Sequence, residues 1–314
     1  MLVIACVFPG QGSQTPGMGR TMASAYAVAR ETFEQADEAL QRPLSTLIFE
    51  GDEADLKRTE NTQPALLTTS IATWRVLKKL KPTLTPAFAA GHSLGEWSAL
   101  VAVGAIAFED AVKAVQQRGR FMQEAVPEGE GAMAAVIGLS PSEVSEICRE
   151  AAKSTSVVVA PANLNSSEQI VISGASKAVA DASARASAAG AKKVVPLPVS
   201  APFHCPLMRP AADRLAEVLE SIPISPLSAP VVSNVEATAN RDPSRVKPLL
   251  IEQVTAPVRW EESIRFIATQ GVETAIEVGP GRVLAGLIRR IDRKMKVHPS
   301  DDLDALEKTV AAIP

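Results

Sequence analysis

The chain has 314 residues, of which 46% are hydrophobic and 21% charged, a balance that excludes a disordered chain and allows one large domain or a main domain with an insertion. A formal net charge of −3 gives no global reason to bind nucleic acid, and no apolar run approaches the roughly 20 residues that cross a membrane, so neither partner is expected. Cys6, Cys148 and Cys205 are too few and too scattered for a disulfide framework or a metal cluster; they fit a reducing compartment, either the cytoplasm or the stroma or matrix of an organelle.

Residues 2–8 form an apolar run that predicts a buried strand. Residues 1–6 superficially suggest a lipoprotein signal, but they lack a basic region and the run is too short. The turn Pro9-Gly10-Gln11-Gly12-Ser13-Gln14 follows, then helical patterns over 22–39 and 64–79. Next comes Gly91-His92-Ser93-Leu94-Gly95 at the end of a short apolar run, with a helical stretch over 94–103 that stops at Gly104. This is the strand–elbow–helix context of a G-x-S-x-G nucleophile. The turn also places the serine at a helix N-terminus, where unpaired N–H groups favour negative charge. Such a pentapeptide arises by chance in many proteins and needs further residues to support it.

From about 131 to 199 the order is strand 132–137, helix 141–153, strand 157–160, strand 169–173, helix 175–189 and strand 193–199, the β-α-β-β-α-β order of a ferredoxin-like unit. Strands at 230–235 and 274–278 and a helix over 283–291 resume the alternation of short apolar strands with amphipathic helices. The expected fold class is therefore α/β. A larger α/β-hydrolase-like domain with a parallel sheet (1–127 and 200–314) carries a ferredoxin-like α+β subdomain (128–199), leaving a cleft between them.

A serine nucleophile needs a base, and there are three histidines. His92 neighbours the serine, but adjacent side chains diverge on a sharp elbow. His298 falls in a charged tail beside Lys296 and Asp301 and reads as solvated. His204 sits in the proline-stiffened loop Ser200-Ala201-Pro202-Phe203-His204-Cys205-Pro206, at the return from the insertion. The helix start beside it would keep the ring neutral, though a loop histidine of no special role fits equally.

Arg118 lies within the apolar stripe Val112, Val115, Met122 and Val126 of the helix over 110–125, whereas Arg120 lies off it. A guanidinium there needs an anion, because an unpaired buried charge is costly. Two readings stay open: a buried salt bridge to a protein carboxylate, or a socket for a substrate carboxylate held by two parallel hydrogen bonds.

Phe8-Pro9-Gly10-Gln11-Gly12-Ser13-Gln14, Thr62-Gln63-Pro64-Ala65, Gly91-His92-Ser93-Leu94-Gly95-Glu96, Gln117-Arg118-Gly119, Phe203-His204 and Glu277-Val278-Gly279-Pro280-Gly281 occur in this order. Together they resemble the malonyl-CoA:acyl-carrier-protein transacylase family, in its stand-alone bacterial type II form, over essentially the whole chain. The resemblance implies malonyl transfer from malonyl-CoA to the phosphopantetheine thiol of acyl carrier protein, supplying fatty acid synthesis, by a monomer using no metal and no bound cofactor. It implies Ser93 as nucleophile, His204 as base, the N–H groups of Gln11 and Leu94 as oxyanion hole, Arg118 as carboxylate clamp and Gln253 as the group orienting the histidine. Gln63, His92, Asn163 and Gln169 would line the cleft, as would Phe203, where a serine is common in branched-chain-selective acyltransferases and also occurs in malonyl enzymes. An acidic carrier protein would meet a basic rim, with Lys192, Lys193, Arg289 and Arg290 as candidates, although solvated charge explains them as well. The elbow alone also fits a serine esterase, for which His298 would be the base, and a carrier-binding scaffold without activity is the third reading.

Overall fold

The computed structural model describes residues 3–199 and 201–313. Met1, Leu2, Ser200 and Pro314 lie outside them, and with them the start of the expected first strand and the expected return point from the insertion. In chain order the elements are β1 (Ile4–Phe8), α1 (Arg20–Ala25), α2 (Ala27–Leu40), α3 (Leu44–Glu50), α4 (Glu53–Lys57), α5 (Thr59–Leu80), β2 (Phe88–Gly91), α6 (Leu94–Ala102) and α7 (Phe108–Glu124). Then come β3 (Gly131–Ile137), α8 (Pro141–Thr155), β4 (Val159–Ser166), β5 (Gln169–Ala175), α9 (Ser176–Ala188) and β6 (Lys193–Pro196). The last are α10 (Arg209–Glu220), β7 (Val231–Val232), β8 (Ala239–Asn240), α11 (Pro243–Gln253), α12 (Trp260–Thr269), β9 (Thr274–Glu277), α13 (Val283–Ile291), β10 (Lys296–Pro299) and α14 (Leu303–Ala312).

The larger sheet has the order β10-β9-β1-β2-β7-β8, parallel except for the β7–β8 pair. β1 is buried on both faces, which is why it reads as an unbroken apolar run. Cys6 and Phe8 enter the core shared with Leu66, Trp97 and Val115, while Ala5 and Val7 enter the opposite core with Trp260, Ile264 and Ile288. In register, Phe8 lies beside Gly91 and Val7 beside Glu277. The turns after β1, β2 and β9 therefore gather at one sheet edge, where open α/β sheets bind ligands.

The smaller sheet has the order β4-β5-β3-β6, all antiparallel, which is the ferredoxin-like arrangement. Alternation along β3 sends Ala134 and Val136 into a core with Ile147 and Val179, under α8 and α9. Met133 and Ala135 turn the other way, into the core of the larger unit. The fold is thus α/β with a parallel sheet and a separate antiparallel one, as the sequence indicates.

Several expected boundaries move. The helix expected over 22–39 is two, because Tyr26 is extended at φ −128°. The helix expected from 64 begins at Thr59, five residues earlier; its first turn is tied by Thr62 Oγ1 to Leu56 O (2.6 Å) and Asn61 Nδ2 to Asp55 O (2.9 Å), and Pro64 is accommodated inside it. The strand expected over 157–160 is β4, which runs on to Ser166 through two register shifts. Polar Asn163 and Asn165 hide it from an apolar pattern, and its outer edge pairs with the larger unit: Leu164 N–H donates to Val258 O (2.9 Å) and Val258 N–H to Ala162 O (2.8 Å). The last small strand ends at Pro196 rather than 199, since prolines at 196 and 198 lack N–H donors. His298, read as solvated, is half-buried in β10, level with Ile276 of β9.

Candidate active site

Ser93 stands between β2 and α6 with φ 50° and ψ −105°, a sparsely populated conformation for a residue with a side chain. The flanking glycines contribute room rather than positive φ. A Cβ on Gly91 would collide with the Gly95 backbone, and one on Gly95 with the carbonyl oxygen of Phe8. The helix can therefore start directly against β1, with the hydroxyl projecting from the sheet edge. Leu94 is the first helical residue, so its N–H has no acceptor inside α6.

His204 reaches this hydroxyl from the other side: Nε2 is 2.8 Å from Ser93 Oγ. His204 also has positive φ, 58°. Its Nδ1 is 2.8 Å from the main-chain carbonyl of Gln253, at the end of α11. A carbonyl only accepts, so Nδ1 carries the proton and Nε2 presents its lone pair to the serine. Burial, and then the Arg118 charge, push the His204 pKa down to about 3. Burial and the Arg118 charge keep the ring neutral.

Arg118 is 1% exposed on α7, as its place in the apolar stripe predicts. Among the described residues it makes no ion pair. Nη1 donates to Gln63 Oε1 (2.6 Å), and Nη2 donates to Gln253 Oε1 (2.9 Å) and Ser93 Oγ (3.2 Å). Nε has no hydrogen-bond partner among the described residues. Burial lowers its pKa to about 10, which still leaves a cation at pH 7. The salt-bridge reading of Arg118 gives way: among the described residues a buried cation lies beside Ser93 with only neutral groups bonded to it.

Ser93 and His204 face a cavity of about 250 Å3 between the two sheets. Gln11, His92, Asn163, Gln169, Phe203 and His204 line it with Ser93, and Met133, Val171 and Leu287 add apolar walls. Gln11 Oε1 accepts from Thr59 Oγ1 (3.0 Å). The His92 ring is turned away from the serine hydroxyl, its Nε2 2.8 Å from Asn165 Oδ1 and its face against Trp260. Asn163 Nδ2 is 3.5 Å from the same nitrogen. Gln63, expected in the lining, is fully buried behind it, between Arg118 and Thr59. Gln253 meets the histidine as expected, through its backbone carbonyl, while its side chain holds Arg118.

At the rim, Arg290 Nη1 donates to Gln169 Oε1 across the cleft (2.6 Å), and Lys192 pairs with Glu168 (3.1 Å). Lys193 and Arg289 are exposed. The α13 wall is set by Glu277, whose two carboxylate oxygens accept from Leu284 N–H (2.9 Å) and Ala285 N–H (2.8 Å).

Three polar residues of the site escape the sequence reading. Asn165 holds His92 from β4. Asn234 brackets the elbow, accepting from Ser93 N–H (2.7 Å) and donating to Gly91 O (2.7 Å). Glu96 is 3% exposed, and its Oε2 accepts from Asn234 N–H (2.9 Å) and Gln253 Nε2 (2.7 Å). Burial raises its pKa to about 7. A lone carboxylate in the apolar run 94–103 was the available signal, of the same kind that marks Arg118.

A strained serine on a strand–helix elbow, a neutral histidine in hydrogen-bond contact and a separate antiparallel unit over the sheet edge define an acyl-transferring class of enzyme. Residues 5–304 match the acyl transferase domain family, and the chain belongs to it. It is 48% identical over 314 residues to the malonyl CoA-acyl carrier protein transacylase of Bacillus subtilis, covering 100% of this chain and 98% of that one. The structure of the malonyl CoA-acyl carrier protein transacylase from Coxiella burnetii superposes with TM-score 0.96 at 46% identity, over 99% of this chain and 97% of the other. A malonyl-transacylase solved in complex with a type II PKS acyl-carrier protein gives TM-score 0.96 at 44% identity, over 99% and 100%.

Proposed function

We propose that the chain transfers the malonyl group of malonyl-CoA to the phosphopantetheine thiol of acyl carrier protein through a malonyl-Ser93 intermediate, supplying fatty acid synthesis. The observation that carries this reading is Arg118, a buried cation without a carboxylate partner among the described residues, 3.2 Å from Ser93 Oγ. The malonyl carboxylate completes it. The donors proposed for that carboxylate are Nε–H, buried and without a partner among the described residues, and the Nη2–H that meets Ser93 Oγ. Together they form the side-on fork of a guanidinium.

His204 Nε2 takes the Ser93 proton as Oγ attacks the thioester carbonyl. The N–H groups of Gln11 and Leu94 stabilise the tetrahedral oxyanion, a contribution of about 10²–10³ in rate per donor. The C–S bond then breaks, and His204 returns the proton to the departing CoA thiolate. The carrier thiol repeats the sequence in reverse. The scheme needs neither a metal nor an organic cofactor. Lys193 and Arg289, with Lys192 and Arg290, form the basic rim for the carrier, and the enzyme acts as a cytoplasmic monomer.

The esterase reading loses its base, since His298 belongs to β10, separated from β2 by β9 and β1. Mass spectrometry after mixing with malonyl-CoA tests the proposal: the expected result is one malonyl adduct on Ser93, absent in Ser93→Ala. An enzyme that binds carrier protein but forms no adduct would be a scaffold, and the proposal would fail.

A further inference from the structure

Among the described residues, Glu96 is the one buried carboxylate in contact with the elbow machinery, and it neither lines the cavity nor bonds to the serine hydroxyl. A single oxygen, Oε2, holds two donors: Asn234 N–H at 2.9 Å and Gln253 Nε2 at 2.7 Å. Each limb ends on a different part of the site. Asn234 spans the elbow, with Oδ1 on Ser93 N–H and Nδ2 on Gly91 O, both 2.7 Å. Gln253 turns its amide so that Nε2 faces Glu96 and the Ser93 carbonyl (3.2 Å), leaving Oε1 to face Arg118 Nη2 (2.9 Å). A primary amide has two nearly isosteric orientations. Glu96 selects one together with the Ser93 carbonyl and Arg118, because the flipped amide would set oxygen against oxygen at Glu96 and Nε2 against the Arg118 guanidinium.

We propose that Glu96 is a positioning residue for both the nucleophile and the acyl-group selectivity: through Asn234 it holds the strained Ser93 backbone, and through Gln253 it aims Arg118 at the substrate carboxylate. The selectivity limb rests on the malonyl-transfer reading above. Hydrogen bonding, rather than charge alone, is the operative property. Both donors converge on one oxygen, so a glutamine carbonyl can accept both, whereas an aspartate is one methylene too short to reach either.

The test compares Glu96→Gln with Glu96→Asp, each normalised to active sites titrated by a fluorophosphonate, with malonyl-CoA and acetyl-CoA as donors to carrier protein. For Glu96→Asp, kcat/KM for malonyl-CoA should fall by about tenfold or more, consistent with losing hydrogen bonds to a charged group. The malonyl-to-acetyl ratio should fall with it by about fivefold, and the rate of Ser93 phosphonylation should drop. Glu96→Gln should restore all three to within about threefold of the parent enzyme. A purely structural role would change the yield of active sites and leave the per-site ratio unmoved. The proposal is overturned if Glu96→Asp keeps the parent ratio and phosphonylation rate, or if Glu96→Gln is the worse of the two. Failure of the parent enzyme itself to form malonyl-Ser93 would instead sink the malonyl reading. Phosphonylation, which uses the elbow and no acyl group, would still decide the Asn234 limb.

Discussion

Replacing Arg118 by alanine separates recognition of the acyl group from the acyl-transfer chemistry. A malonyl carboxylate on this guanidinium is a buried, hydrogen-bonded charge pair, and truncating one partner of such a pair costs about 3–5 kcal/mol. At about 1.4 kcal/mol per tenfold, kcat/KM for malonyl-CoA should fall by about 10²–10³ or more. Acetyl-CoA forfeits the 3.2 Å contact from Nη2 to Ser93 Oγ and the order that the Gln63 and Gln253 bonds give the site, but no charge pair. It also gains something, because removing the cation takes away a cause of the depressed His204 basicity. Acetyl transfer should therefore change by no more than about tenfold, the range of one neutral hydrogen bond. The assay is transfer of each acyl group to carrier protein, with donor concentration varied so that KM and kcat are resolved. Arg118→Lys, which keeps a charge but not the fork, should fall between alanine and the parent enzyme. Equal losses for malonyl and acetyl would refute the carboxylate clamp.

Because the His204 pKa lies near 3 rather than at its ordinary 6.5, the base is already neutral at pH 5, and single-turnover acylation should show no acid limb from this residue between pH 7 and pH 5; a sigmoidal loss centred near 6.5 would contradict the cause assigned to it. A folded pKa below the unfolded one means that the native state binds fewer protons. The associated stability is present above pH 6.5 and lost as pH falls toward 3, so His204→Ala should lose less stability than the parent over that window in denaturant titrations. Gly95→Ala drives a Cβ into the Phe8 carbonyl and should cost about 3 kcal/mol or more in denaturant unfolding. Gly286→Ala, at an open position inside α13, should instead stabilise by about 0.5–1 kcal/mol, and the reverse order would overturn the packing argument.

What could be read in the sequence was whatever a local pattern exposes. Ser93 announces itself through its two glycines, Arg118 through its position on an apolar stripe, and His204 through a stiff loop at a change of architecture. The tie between them was not local. Asn234 contacts residues 141 and 143 positions away, and Glu96 contacts residues 138 and 157 positions away, so no window of sequence contains either relationship. Asn234 also lies inside the stretch 230–235 that reads as an ordinary strand, whereas only Val231 and Val232 form β7. β4 was underestimated for a related reason. Its asparagines face the cleft, so the residues that make it functional break the apolar alternation by which a strand is recognised. Gln253 illustrates a third limit: its match to a motif locates it correctly, but the histidine contact belongs to its carbonyl, which every residue type possesses.

The charges in the site are arranged so that binding and reactivity are linked. Arg118 has a nearby carboxyl group in Glu96, whose charged form raises the arginine's pKa but which is hydrogen-bonded to Asn234 and Gln253 instead. The cation is thus moderated without being occupied, and its remaining field falls on His204, where it lowers the affinity of the base for a proton. On the proposed malonyl reading, a carboxylate bound at Arg118 offsets part of that field. An acetyl group leaves the field in place. On this argument selectivity resides partly in the basicity of a residue that never touches the discriminating carboxylate, and the Arg118→Ala enzyme loses both the attraction for malonyl and the handicap on acetyl through one substitution.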